Sequence, residues 1–95
     1  MEDLRLYCEE MEAQLKDWNA KIERLKVNAR LSEGEAELEI KDEIQFLDLK
    51  KRGVERKLRE LRHASGEACQ FLKDDMKEAM SDLEHSVQNA VSKFT

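Results

Sequence analysis

The chain has 95 residues, 40% hydrophobic and 41% charged, with three Gly, no Pro and a formal net charge of −5. That balance suits one structural unit with a narrow apolar seam and a wet surface, as in long helices and coiled coils. No stretch approaches the roughly 18 apolar residues of a membrane span, and so short a chain buries only a thin core, which makes association the default expectation.

Residues 1–15 carry five acids and no apolar run. This is not the pattern of a secretion signal, and a cytoplasmic location is expected. Cys8 and Cys69 stand apart without framework spacing, which predicts reduced thiols rather than a disulfide.

From Leu4 the seam runs Leu4, Cys8, Met11, Leu15, Trp18, Ile22, Leu25, Ala29, Ser32, Ala36, in alternating steps of four and three. That is an unbroken heptad pattern. A second run follows as Ile40, Ile44, Leu47, Lys51, Val54, Leu58, Leu61, Ser65. Joining the two takes consecutive four-residue steps at Ala36–Ile40–Ile44, a skip that a coiled coil absorbs by relaxing its supercoil. The spacing therefore favours an all-α fold with one long heptad helix over residues 1–64 and a second amphipathic helix over 65–95, in one structural unit.

The alternative is a three-helix bundle with helices near 2–31, 35–63 and 67–94. Ser32 and Glu35 match the Ser-x-x-Glu capping box, and Gly34 would cost about 1 kcal/mol inside a helix. Against a bundle stands the narrowness of the seams, which hold two positions per heptad rather than three. Past Gly66 the apolar residues Cys69, Leu72, Met76, Met80, Leu83, Val87, Val91 and Phe94 step by 3, 4, 4, 3, 4, 4, 3. This eleven-residue repeat suits a straighter helix.

The seams nominate a self-association surface: Leu4, Met11, Leu15, Trp18, Ile22, Leu25, Ile40, Ile44, Leu47, Val54, Leu58, Leu61, Leu72, Met76, Leu83 and Val87. Charge is segregated along the chain. Residues 1–48 hold 14 acids and 7 bases, residues 49–66 hold 7 bases and 2 acids, and residues 67–95 hold 6 acids and 3 bases. The basic island is Lys50, Lys51, Arg52, Arg56, Lys57, Arg59 and Arg62. Nucleic acid is not expected to bind it, because the whole chain is acidic and phosphate affinity grows with the number of neutralising cations. The island is expected to face the acidic stretch at 33–43 of a partner helix. An antiparallel homo-oligomer centred on Leu47 achieves this, setting Leu47 on itself, Asp42 near Arg52 and Glu43 near Lys51, whereas parallel chains would stack like charges.

No catalytic chemistry is legible. Two His and two Cys are too scattered for a zinc site, with His63 and Cys69 six apart on different helix faces. There is no phosphate-binding Gly loop, nucleophile elbow or metal-binding His pair. No catalytic, cofactor-binding or metal-ligating residue is nominated, no cofactor is implied, and the protein is not expected to be an enzyme.

The stretches "EEMEAQLKDWNAKIERL" at 9–25 and "RKLRELRHASGEACQFLK" at 56–73, with the amphipathic tail ending in Phe94, resemble a group of small, uncharacterised bacterial coiled-coil proteins. The resemblance implies a coiled-coil structural protein with no established activity. Cys69 and Met80 depart from the group, which tends to carry Trp there, so aromatic anchoring at a lipid interface does not carry over.

A structural or scaffolding coiled-coil protein that self-associates is the expected function. The alternatives are an adaptor that binds another helical protein and a lipid-surface protein built on the tail at 67–94. That tail opposes Lys73, Lys77 and Lys93 to six acids, a poor match to anionic lipid, so a membrane surface is not the expected partner.

Overall fold

A computed structural model describes residues 2–94. It contains three helices, α1 (Glu2–Leu31), α2 (Glu35–Arg62) and α3 (Glu67–Phe94). The all-α expectation holds, and it takes its three-helix form. The single helix over 1–64 is not formed: the chain turns at 32–34, and the unit assigned to 1–64 is a helical hairpin.

The physical reason lies in the turn and in the seam. Gly34 adopts φ +67, a left-handed conformation that side chains with a Cβ rarely take. Ser32 does not cap α2 as the capping-box pattern predicts. Its Oγ donates back to the Asn28 carbonyl at 2.8 Å, closing the end of α1. Gly34 occupies the N-cap of α2 with no side-chain cap bond, and its carbonyl accepts from the Leu38 N–H. The second turn repeats the device, with Gly66 at φ +61 and its carbonyl accepting from the Cys69 N–H. Both turns lead into the same tripeptide, Gly34-Glu35-Ala36 and Gly66-Glu67-Ala68. A continuous 64-residue helix would leave its seam facing water within one chain, and folding back buries it.

Cross-helix contacts set directions and register. Lys26 pairs with Asp48 and Glu12 with Arg62, so α1 and α2 run antiparallel. Lys50 pairs with Asp82 and Lys57 with Asp75, so α2 and α3 do too. Asn28 donates to the Phe94 carbonyl, and Lys73 sits over Tyr7, so α3 runs parallel to α1. The result is a slim bundle measuring 51 × 18 × 17 Å. Charge matches the antiparallel hairpin: acids such as Glu9, Glu12 and Asp17 in the first half of α1 lie alongside the basic end of α2. Further along α1, Lys26 reaches Asp48 near the middle of α2.

One continuous core fills the bundle. It consists of Cys8, Leu15, Trp18, Ile22, Leu25 and Ala29 from α1, Ile40, Ile44, Leu47, Val54, Leu58 and Leu61 from α2, and Met76, Met80, Leu83, Val87 and Ala90 from α3. Each large aliphatic buried this way contributes about 1.5–3 kcal/mol. No polar or charged residue is buried among those described. In α3 the buried line reaches Ala90, and Val91 and Phe94 are only partly covered. From Met76 to Ala90 the buried line steps by four and three in alternation. The eleven-residue repeat read over Cys69–Phe94 differs from it at the step after Val87, where Ala90 rather than Val91 is the buried residue. A helix seated between two neighbours has a wide buried arc, and small Ala90 fits its centre while Val91 takes the flank.

Candidate functional site

The residues nominated for self-association face one another inside a single chain. Leu15, Trp18, Ile22, Leu25, Ile40, Ile44, Leu47, Val54, Leu58, Leu61, Met76, Leu83 and Val87 are buried, and Leu4, Met11 and Leu72 pack partly covered against them. Leu47 is 0% exposed. Folded chains therefore cannot pair through it, and the register that sets Leu47 on Leu47 is ruled out. Of the polar seam members, Lys51 lies at the edge, where Nζ donates to Asn19 Oδ1 at 2.7 Å. Ala36 and Ser65 are exposed at the turns.

The basic island divides in two. Lys50 reaches Asp82 at 2.9 Å and Ser86 Oγ at 2.8 Å on α3. Lys57 reaches Asp75 at 3.4 Å, and Arg62 meets Glu12 on α1. These cations, with Lys51, hold the bundle together, and the acids that meet Lys50, Lys57 and Arg62 come from α1 and α3 rather than from the stretch at 33–43. Each such exposed pair contributes at most about 1 kcal/mol, yet together they select register. The remaining three, Arg52, Arg56 and Arg59, are exposed and make no ion pair or hydrogen bond among the described residues.

Arg52 and Arg56 belong to the outer face of α2, whereas Arg59 stands at the edge facing α1. Leu38, Asp42, Gln45, Leu49, Arg52 and Arg56 recur at helical spacing opposite the buried line through Ile40, Ile44, Leu47, Val54 and Leu58, and all six are exposed. Beside them stand Phe46, half-exposed under the Lys50 ammonium, and Gly53, where an added Cβ would meet open space. The acids Glu35, Glu39 and Asp42 at the start of this helix are also exposed and unpaired among the described residues. The free charge of α2 is thus acidic in its first half and mostly basic in its second.

A groove of about 570 Å³ runs between α1 and α2, floored by Leu15 and Leu58 and edged by Lys16, Lys51, Arg59 and Arg62 with Glu12 and Glu55. Both signs of charge line it, and two of its edges, Arg62 and Glu12, close on each other. At the same end, Tyr7 lies with its ring centroid 5.3 Å from Lys73 Nζ. Burial raises its phenol above the ordinary 10.0, with smaller contributions from Cys8 and Asp74. Among the described residues no group of three or more His, Cys, Asp or Glu could hold a metal ion, and no helix is long and apolar enough to cross a membrane.

The outer face of α2 escaped the sequence reading because a heptad seam already accounted for that helix. The signal for it was Leu38, Phe46 and Leu49, three large apolar residues that fit no seam position. No known family model, curated protein or solved structure matches the chain.

Proposed function

We propose that the protein is a non-catalytic structural or scaffolding unit that works by associating with copies of itself. The observation that carries this is the unpartnered outer face of α2, where exposed Leu38 and Leu49 stand among charges that no neighbouring helix neutralises. A solvated face gains little from segregating its signs. A face that receives an oppositely ordered partner gains orientation and register from it. The resemblance to small bacterial coiled-coil proteins points the same way, and the two free thiols suit a cytoplasmic setting. Sedimentation equilibrium tests the reading: the mean mass should climb above one chain as concentration rises, and a single-chain mass at every concentration would refute it.

A further inference from the structure

We infer that the outer face of α2 docks a second copy of the chain, antiparallel and two-fold symmetric about Leu49. This rests on the self-association reading and names the surface that serves it. In a symmetric pair of antiparallel helices each residue meets the one equally far beyond the centre, so every contact occurs twice. Centring on Leu49 sets that side chain, 67% exposed in the single chain, against its own copy. Four residues outward, Gln45 of one copy lies over Gly53 of the other. Gly53 has open space where a Cβ would stand, so the second backbone can approach closely. Seven residues outward, Asp42 meets Arg56, an acid and a base that both lack a partner within their own chain.

The opposite orientation fails on the same charges. Parallel, in-register chains would set Arg52 on Arg52, Arg56 on Arg56 and Asp42 on Asp42, and facing like charges repel. The pairing leaves the buried core of each bundle intact. It also explains why Arg52 and Arg56 of the basic island stay exposed and unpaired while Lys50, Lys57 and Arg62 reach across to α1 and α3. Because the charged contacts are solvent-exposed, association should weaken as salt screens them.

Charge reversal tests the surface on exposed residues that the fold does not use. The full chain, Asp42→Arg, Arg56→Asp and an equimolar mixture of the two variants are compared by sedimentation at low salt, with circular dichroism confirming that all remain helical. Each single variant should dissociate at a concentration at least about tenfold above the parent, a change of about 1.4 kcal/mol. The mixture should recover association. The guanidinium introduced at position 42 of one chain then faces the carboxylate introduced at position 56 of the other, and the native Asp42 and Arg56 still meet across the two-fold. If the parent associates and the single variants associate equally well, the surface is wrong while self-association stands. If both variants lose association and the mixture does not recover it, the Leu49-centred register is wrong. A parent that stays a single chain throughout would remove the surface and the self-association reading together.

Discussion

Lys51 Nζ donates to Asn19 Oδ1 at 2.7 Å across the interface of α1 and α2, where the buried line of α2 is interrupted by a cation. Asp48 lies on the other side of the ammonium at 3.8 Å, and Lys26 approaches the same carboxylate at 3.9 Å. Asn19→Ala removes the neutral acceptor and leaves Lys51 with Asp48 alone. A loss of about 1 kcal/mol in unfolding free energy is expected, the usual worth of one such bond. Urea titration of the variant measures it, and an unchanged midpoint would show that the contact contributes nothing.

Trp18 is the largest side chain in the core, at 6% exposure. Trp18→Ala should cost about 3–5 kcal/mol, because the surrounding core cannot collapse fully into the space so large a ring leaves. In a bundle this small, that is a large share of the total stability. A variant melting with the parent would place Trp18 outside the core.

The glycines should respond in opposite directions to the same substitution. Gly34 holds a left-handed φ at the start of α2, and Gly34→Ala should destabilise by about 1–2 kcal/mol through strain alone. Gly53 lies inside the helix with open space around its Cα, and Gly53→Ala should stabilise the isolated chain by about 0.5–1 kcal/mol. Thermal melts at concentrations too low for association separate the two, and equal signs would contradict the turn at 34.

Alkaline pH should weaken the fold through Tyr7. Its phenol is raised above 10.0 in the folded chain, chiefly by burial, so the unfolded chain gives up this proton first. The contribution is fully present below pH 10, the ordinary value, then falls as pH rises through it towards the folded one. Tyr7→Phe cannot ionise and should flatten the alkaline limb of a stability–pH curve. An identical limb in parent and variant would assign the loss to other groups.

Thiol labelling should distinguish the cysteines by access. Cys8 is buried in the core, whereas Cys69 is only partly covered at the start of α3. An aromatic disulfide reagent should modify Cys69 first, and Cys8 only as the bundle opens. Faster reaction at Cys8 would mean that α1 frays from the other helices at that end.

Much of this bundle was written in the spacing of its apolar residues. Steps of three and four marked helix throughout, and Ile22, Leu25, Leu47, Leu61 and Leu83 could be named as seam residues because periodicity records which side of a helix avoids water. Near-equal helices bounded by Gly34 and Gly66 were legible too, as an alternative. What periodicity does not record is the identity of the partner. A narrow heptad seam is satisfied equally by a second chain and by the same chain folded back, and Gly34 serves either as a tolerated interior residue or as a left-handed N-cap. Only the tertiary structure decided between them. Folding back sets the acidic start of α1 along the basic end of α2 and supplies three mutually burying seams without the entropy cost of bringing separate chains together. Once the seams close on one another, Leu47 passes from proposed interface to core. Leu49, two residues away on the opposite side of the same helix, is left facing solvent.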